Sequence, residues 1–232
     1  MKKFSVIIPI KNEKENIPII SQKIKKLKFK YNYEIIFVDD NSNDNSEIIL
    51  KKLKNKYNFF KPIFRKKKRD LTKSCFDGIK KSKNYNILIM DGDLQHDPKY
   101  IIPMFNKFRK NNYDVVVGAR PLTKGPNQGL SESRRLASNI LIYFFSIFNL
   151  GTSDPMSGFF IFKKNIYNKN KKYFFGKGFK ILADILINSK ENLVVKDFII
   201  KFKRRYEDKS KMNLRVLLIL IKFYFESIVK KI

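Results

Sequence analysis

The first half of the chain alternates short apolar runs with segments of helical spacing, and this alternation restricts the possible folds strongly. Residues 4–10, 34–38 and 86–90 are apolar runs bounded by polar residues. Between them apolar side chains recur every three or four residues, as at Ile20 and Ile24. Buried strands that alternate with amphipathic helices are typical of a parallel sheet covered by helices. We therefore expect a single α/β domain.

The pattern predicts elements along most of the chain, with a loop rich in Gly, Pro and Ser at 121–133. Pro62 makes the third strand an edge candidate, since proline cannot donate to a sheet ladder. The predicted strands are 4–10, 34–38, 59–65, 86–90, 115–118, 159–163 and 193–202. The predicted helices are 15–28, 46–56, 72–82, 98–110, 134–150, 178–188 and 212–232.

The charge of the chain indicates anionic partners. It has 50 Lys+Arg against 21 Asp+Glu, a net charge of +29. Nucleic acid, an acidic lipid surface or a phosphorylated substrate would suit such a charge. A lysine-rich composition on solvated surfaces explains it equally well. A nucleic-acid-binding module stays a remote alternative, because no zinc-finger, helix-turn-helix or RNP signature accompanies the charge.

The single cysteine and the lengths of the apolar runs indicate which disulfides and membrane segments to expect. Cys75 is the only cysteine, which excludes an internal disulfide framework, and we expect it to be buried. The apolar run after the first residues is too short for a secretory signal and is interpreted as a strand. No run reaches the roughly 18–20 apolar residues of a spanning helix. Residues 212–232 mix basic and apolar side chains, which favours an amphipathic helix at a membrane surface over one that packs on the core.

Polar side chains follow three of the predicted strands. Asn12 and Glu13 follow the first, and Asp39 and Asp40 end the second. The stretch DGDLQH, residues 91–96, follows the fourth. In parallel sheets, ligands bind at the carboxyl ends of the strands. We therefore expect the three clusters to meet at one edge.

Asp91 and Asp93 are two residues apart at the end of a buried strand. Two such carboxylates repel each other unless a cation lies between them, and Mg²⁺ and Mn²⁺ prefer oxygen ligands and bridge to substrate phosphates. A solvated turn also contains such pairs. The only histidine, His96, is expected to contact the residues that bind the ligand and not the ligand itself.

Seven stretches occur in the order SVIIPIKNE, IIFVDDNSNDNS, IMDGDLQHDP, VVGAR, SGFFIFKK, GFKI and RRYEDKSKM. Together they resemble the inverting glycosyltransferases of family 2, and among them the dolichyl-phosphate mannose synthases and related polyprenyl-phosphate glycosyltransferases. The resemblance extends from residue 4 to about residue 212. It implies a single GT-A domain at 1–211, with a mostly parallel, Rossmann-like sheet flanked by helices. Residues 1–120 would bind a nucleotide sugar and 121–211 the acceptor, before a membrane-associated helix at 212–232.

The resemblance also implies a role for individual residues. It implies that Pro9, Glu13 and Asp40 border the nucleoside of the donor and that Asp39 supports their loop. It implies that Mg²⁺ or Mn²⁺ and the donor diphosphate are held by Asp91, Asp93 and Gln95. It also implies that a loop closes over the diphosphate with Arg205, Ser210 and Lys211. For the acceptor phosphate it implies Arg120, Arg134 and Ser138. Catalytic roles fall to Asp91, Asp93, Arg120 and Arg134.

The expected reaction is transfer of a hexose from a nucleotide sugar to a polyprenyl phosphate of the dolichyl type. Mannose from GDP-mannose is the first candidate for the sugar and its donor. An ionised phosphate needs no general base, so the protein aligns the reactants and neutralises charge. The alternative within the family is transfer to a hydroxyl of another lipid or a polysaccharide, for which no acid stands out as a base. The expected partners are donor, acceptor, the cytosolic face of a membrane and an anchoring membrane subunit.

Two loops depart from the family pattern. Asp70 and Thr72 stand where the synthases commonly have glycines, and Asp208 replaces a usual glycine near the end of the last motif. Many relatives also carry spanning helices after the catalytic domain, and none is predicted here. We therefore expect a peripheral protein or one that pairs with a membrane subunit.

Overall fold

A seven-stranded sheet with helices on both faces forms the core of the protein. The structure, a computed structural model, describes residues 3–27, 32–120, 148–178, 180–201, 222–224 and 226. The strands are β1 (Lys3–Ile10), β2 (Asn32–Asp39), β3 (Ile63–Phe64), β4 (Asn86–Met90), β5 (Val115–Ala119), β6 (Phe159–Lys163) and β7 (Val195–Ile199). The helices are α1 (Asn16–Lys26), α2 (Ser46–Lys56), α3 (Leu71–Lys81), α4 (Ile101–Lys110), α5 (Lys164–Asn170) and α6 (Ile181–Asn188), with a 3-10 turn at Pro98–Tyr100.

The strand order is β3-β2-β1-β4-β6-β5-β7. Every pairing in this sheet is parallel except those of β6, which is antiparallel to both β4 and β5. The prediction of a mostly parallel sheet is therefore confirmed. Met90, at the end of β4, pairs with Phe159, at the start of β6. This register brings the turn before β6 to the edge of the sheet where β4 ends.

Strand β1 is apolar on both faces because helices cover both. Phe4, Val6 and Ile8 pack into the cluster that contains the buried side chains of α1, α2 and α4. Ile7 packs into a second cluster with those of α3, α5 and α6. Central strands of doubly covered sheets read as continuous apolar runs for this reason.

Several predicted boundaries are wrong. Only Ile63 and Phe64 of the third predicted strand form strand, since Pro62 interrupts the ladder, although Phe60 makes an isolated bridge to Ile35. Helix α5 was not predicted. The described end of the predicted helix at 134–150, residues 148–150, is not helical.

The predicted C-terminal helix falls mostly outside the described residues. Residues 222–224 and 226 are helical. Phe223 is buried against Ala183 and Ile187 of α6, and its ring lies 5.5 Å from that of Phe175. This part of the segment packs on the protein core, and membrane association stays a prediction. Among the residues the structure describes, no helix has both the length and the apolar character needed to cross a bilayer.

Helix α3 approaches the sheet closely at Gly78. A Cβ at this position would lie 2.6 Å from Ile7 Cγ2 and 3.1 Å from Val38 Cγ2. Both methyl groups belong to β-branched side chains of central strands, so neither can move aside without shifting the sheet.

We expect Gly78→Ala to lower the free energy of unfolding by about 1–3 kcal/mol, because overpacking outweighs the better helix propensity of alanine. Urea denaturation measures the change. Lys80→Ala, at an exposed position of the same helix, is the matched control and should leave stability unchanged. Equal stability of Gly78→Ala and the wild type would contradict this close approach.

Candidate functional site

The loops after β1 and β2 are joined by hydrogen bonds and form one wall of the site. Lys11 Nζ donates to the Asn41 carbonyl at 2.6 Å, and the Asn12 N–H donates to Ser42 Oγ at 2.8 Å. Asn12, Asn41 and Asn45 have φ of 56°, 59° and 69°. Asparagine tolerates this left-handed region better than most residues, which explains the asparagine-rich sequence here.

Of the residues expected near the nucleoside, Pro9 lies buried in β1, paired with Val38 of β2. Glu13 lies three residues before α1: its carbonyl accepts from the Asn16 and Ile17 N–H groups, and its carboxylate accepts from Asn16 Nδ2 at 2.5 Å. Asp39 is 4% exposed and accepts from the Ser42 N–H at 3.0 Å. It thus holds the turn after β2.

Asp40 is buried and fully engaged by the protein. One oxygen accepts from Arg65 Nη1, and the other accepts from the Asp70 N–H at 2.7 Å. Burial raises the pKa of the Asp40 carboxyl, and these hydrogen bonds and the Arg65 charge act against the rise. Arg65 also donates to Asp77 at 2.9 Å and to Ser74 Oγ at 3.0 Å. The Asp40 side chain therefore fixes the 65–70 loop and the start of α3.

The basic cluster at residues 66–69 is exposed along its whole length. Arg69 acts electrostatically on Lys11: burial, with Arg69 next in effect, lowers the pKa of Lys11. Arg69, the last residue of the cluster, therefore lies near the loop after β1.

Asp91 stands where β4 ends, beside the turn before β6. Its N–H donates to the Gly158 carbonyl at 3.2 Å, and its side chain is 33% exposed. An added Cβ at Gly158 would overlap the Asp91 carboxylate, so only glycine leaves room for this acid. Asp93 Oδ1 accepts from the Gln95 N–H at 3.1 Å, which orders the turn around the second acid.

His96 lies under the acidic turn and is 2% exposed. Its ring centroid is 5.2 Å from that of Phe159, and Nδ1 is 3.9 Å from Asp91 Oδ2. Burial lowers the pKa of His96 to about 4, although the carboxylates of Asp93 and Asp154 act in the opposite direction. The imidazole is therefore neutral near pH 7 and adds no positive charge beside Asp91.

Arg120, at the end of β5, is bound by Asp154. Nε donates to Oδ2 at 2.9 Å and Nη2 to Oδ1 at 3.1 Å, which is a bidentate pair. The pKa of Arg120 is raised by the hydrogen bond to Asp154. The Asp154 side chain is 7% exposed and that of Arg120 is 56% exposed, so the guanidinium is fixed from beneath and faces solvent above.

Lys180 is a further cation near the acidic turn. Burial lowers the pKa of Lys180 to about 8, and the carboxylate of Asp91 opposes this. Arg120 and Asp154 also act on the ammonium. The end of β4, the end of β5 and the residue before α6 thus bring three charged groups together.

Asp91 and Asp93 fit a hard divalent cation. They offer carboxylate oxygens, Gln95 adds an amide oxygen, and Gly158 leaves space for the Asp91 carboxylate. Among the residues described, no three His, Cys, Asp or Glu side chains cluster as a metal site. A site of two acids suits Mg²⁺ or Mn²⁺, which keep water and bind substrate phosphates.

Five expected site residues lie outside the described residues: Arg134, Ser138, Arg205, Ser210 and Lys211. Sequence reasoning assigned no role to four others near the site: Arg65, Asp70, Asp154 and Lys180. Asp154 stands in a turn before a strand, and Lys180 lies in the GFKI stretch that carries the family resemblance. That turn and that stretch are the sequence signals that could have identified Asp154 and Lys180. Cys75 is 1% exposed, and burial raises its pKa, which confirms its expected place in the core.

We expect Arg65→Met to lower the free energy of unfolding by about 3–5 kcal/mol, because it leaves the Asp40 charge buried without its partner. The side chains of Arg65 and Asp40 are 3% and 9% exposed. Lys51→Met is the control, since Lys51 and Glu47 form a pair that is 60% and 52% exposed, and it should leave the denaturation midpoint in place. Equal midpoints for both variants would contradict a stabilising buried pair.

Two dolichol-phosphate mannosyltransferases are similar in sequence to this chain over most of its length. The dolichol-phosphate mannosyltransferase of Pyrococcus furiosus is 34% identical over 213 residues, which are 90% of this chain and 59% of that protein. The enzyme of the same name from Saccharomyces cerevisiae is 28% identical over 93% of this chain and 83% of its own length. The chain therefore spans about three fifths of the archaeal relative.

Solved structures share the fold at low sequence identity. Glucosyl-3-phosphoglycerate synthase from Mycobacterium tuberculosis, in complex with Mn²⁺, UDP and phosphoglyceric acid, superposes with a TM-score of 0.70 at 14% identity, over 99% of this chain and 78% of that one. S. aureus TarS in complex with UDP-GlcNAc gives 0.64 at 18% identity, over 97% and 66%.

A family profile gives the assignment. Residues 5–171, which include most of β1, all of β2 to β6 and all the described acids of the site, match the profile described as glycosyl transferase family 2. This chain belongs to glycosyl transferase family 2.

Proposed function

We propose that this protein is an inverting hexosyltransferase that uses a nucleotide sugar, GDP-mannose before others, and a polyprenyl phosphate of the dolichyl type. The observation that carries the proposal is geometric: β4 and β5 run in the same direction on either side of β6, so Asp91 and Arg120 follow strand ends at one edge of the sheet. Lys180 interacts electrostatically with both. An acidic turn for a metal–diphosphate and a fixed arginine for a second phosphate suit a reaction between two phosphorylated reactants. The names of the two mannosyltransferase relatives support mannose and dolichyl phosphate.

On the donor side, Asp91, Asp93 and Gln95 would hold Mg²⁺ or Mn²⁺, which neutralises the diphosphate when bound. Asp39 keeps the loop after β2 in place beside Glu13 and Pro9. Asp40 acts indirectly in this proposal, because its oxygens already bind Arg65 and Asp70.

On the acceptor side, Arg120 would orient the phosphate. Asp154 holds two of its nitrogens, which fixes the plane of the guanidinium before the acceptor arrives. An acceptor phosphate oxygen then forms a bond to the anomeric carbon as the bond from that carbon to the diphosphate oxygen breaks. The bonding electrons leave with the nucleoside diphosphate, and the configuration inverts. Arg134 and Ser138 would add contacts to the acceptor, and Arg205, Ser210 and Lys211 to the diphosphate.

Transfer to a hydroxyl is less well supported. It needs a base, and Asp154 is the acid paired with the proposed acceptor arginine. Both oxygens of Asp154 already accept hydrogen bonds from Arg120, so neither is placed to take a proton from a hydroxyl. A phosphate acceptor is already ionised and requires no such base.

The proposed organisation follows from the reactants. Residues 1–120 would bind the donor, 121–211 the acceptor, and 212–232 would contact the membrane in which the acceptor lies. The net charge of +29 favours the anionic cytosolic face. A membrane subunit that anchors the protein belongs to the same proposal.

The experiment that tests the function is a screen of radiolabelled nucleotide sugars against short prenyl phosphates with Mg²⁺ or Mn²⁺. We expect mannose to pass from GDP-mannose to prenyl phosphate. Asp93→Ala should reduce turnover at least about a hundredfold, because a ligand of the metal is lost. Glu191→Gln, on a remote loop, is the control. Near-normal turnover by Asp93→Ala would rule out the assigned metal site.

A second variant separates acceptor from donor. Arg120→Ala should raise the KM for prenyl phosphate about tenfold or more and leave the affinity for GDP with Mn²⁺ within about twofold, since a charge-assisted pair of hydrogen bonds is lost on one side only. Arg109→Ala, in the exposed last turn of α4, is the control. An equal loss of both affinities would refute the acceptor role of Arg120.

A further inference from the structure

Asp70 joins parts of the chain that are distant in sequence. It is the N-cap of α3, where Oδ1 accepts from the Lys73 N–H at 3.0 Å. Its other oxygen accepts from the Gly178 N–H at 2.9 Å, across 108 positions. The Gly178 carbonyl in turn accepts from the Thr72 N–H at 3.0 Å. The start of α3 and Gly178 are therefore linked by two hydrogen bonds of opposite direction.

The backbone of Asp70 contacts the donor side of the site. Its N–H donates to Asp40 at 2.7 Å, and its carbonyl accepts from Arg65 Nη1 at 3.4 Å. Because these contacts use main-chain atoms, they survive a change of side chain. A substitution at Asp70 therefore tests only the cap and the link to Gly178.

Gly178 belongs to a segment, residues 175–178 together with Lys180, that we call the strap. Its first end is fixed by Asp184 of α6, whose oxygens accept from the Phe175 N–H at 2.9 Å and the Gly176 N–H at 2.8 Å. Gly178 has a φ of 92°, which an L side chain rarely adopts. Asp70 thus supplies a second fixed point, two residues before Lys180.

Lys180 ends the strap where α6 begins, since its carbonyl accepts from the Asp184 N–H at 3.0 Å. Its ammonium interacts with Asp91, Arg120 and Asp154. A cation beside Asp91 repels a metal ion but attracts a diphosphate that is bound with the metal. A shift of the strap would therefore change the charge that a metal-bound diphosphate meets at Asp91.

We propose that Asp70 is a positioning residue that ties the strap to the donor wall and thereby holds Lys180 beside Asp91, where the ammonium strengthens binding of the nucleoside diphosphate. This inference rests on the proposed donor function. It assigns a task to a residue that stands where the family commonly has glycine.

Asp70→Asn separates the two uses of the side chain. Asparagine caps helices as well as aspartate does, but its amide has one acceptor oxygen instead of two. The cap and the Gly178 link can no longer both be made. Asp114→Asn is the matched control: Asp114 likewise joins two segments through its two oxygens, to Lys163 Nζ and the Val194 N–H, both at 2.9 Å, and lies before β5 at the opposite edge of the sheet.

Isothermal titration of the full chain with GDP and Mn²⁺ measures the effect. We expect Asp70→Asn and Lys180→Gln each to weaken GDP–Mn²⁺ binding about three- to tenfold, and Asp114→Asn to leave it within about twofold. The double variant Asp70→Asn/Lys180→Gln should bind no more than about twofold weaker than Lys180→Gln alone, because both changes remove the same interaction.

Titration with Mn²⁺ alone gives the readout that a general structural defect would not reproduce. Removing the ammonium removes its repulsion of the ion, so Lys180→Gln and Asp70→Asn should bind Mn²⁺ about two- to fivefold more tightly while binding GDP–Mn²⁺ more weakly. Lys180→Gln keeps both fixed points of the strap and carries this test even if Asp70→Asn gives little folded protein.

The outcomes distinguish the inference from the function on which it rests. If the wild type binds GDP–Mn²⁺ and Asp70→Asn binds it equally well, or if the double variant is fully additive, the role of Asp70 is refuted and the donor function stands. If the wild type binds neither GDP–Mn²⁺ nor UDP–Mn²⁺, the donor function is refuted, and the role of Asp70 with it.

Discussion

The antiparallel pairing of β6 with β4 is the constraint on which the site depends. It places the turn before β6 against the end of β4, so that Gly158 lies under the Asp91 carboxylate and Asp154 reaches Arg120 at the end of β5. A parallel strand at this position would bring its other end to the site, with Lys163 there instead of Phe159. The direction of one strand therefore decides which residues surround the acidic turn.

The site is an arrangement of charges, each fixed by a partner of opposite charge or by hydrogen bonds to the backbone. Arg65 compensates Asp40 and Asp154 compensates Arg120, each through short contacts with a buried carboxylate. Preorganised charges of this kind do not have to reorient when a charged reactant arrives, which is the main electrostatic advantage of an enzyme over water. The neutral His96 beneath the turn fits this arrangement, because it leaves compensation of Asp91 to Lys180 and to the divalent cation of the proposed function.

Much of the fold could be predicted, because helical and strand periodicities are local. The strand at 86–90 and the helix at 46–56 have their predicted bounds in the structure. The prediction of a strand over all of 59–65 was wrong because an apolar pattern does not show which backbone groups find a hydrogen-bond partner in the sheet. Helix α5 was missed because its seven residues are mostly polar. In the site, the acids that follow strands were recognisable by position, whereas the roles of Asp70 and Asp154 depend on contacts with residues 108 and 34 positions away.

The sequence by itself determined that strands alternate with helices, that acids follow the ends of β2 and β4, and that the motifs are those of a known family. These features follow from side chains close together in the chain, or from their order. Only the tertiary structure decided that β6 lies between β4 and β5, that Asp40 pairs with Arg65, and that Asp70 accepts a hydrogen bond from the distant Gly178 N–H. Such contacts depend on which of many apolar pairings buries the most surface with its polar groups satisfied, and a linear pattern does not contain that comparison.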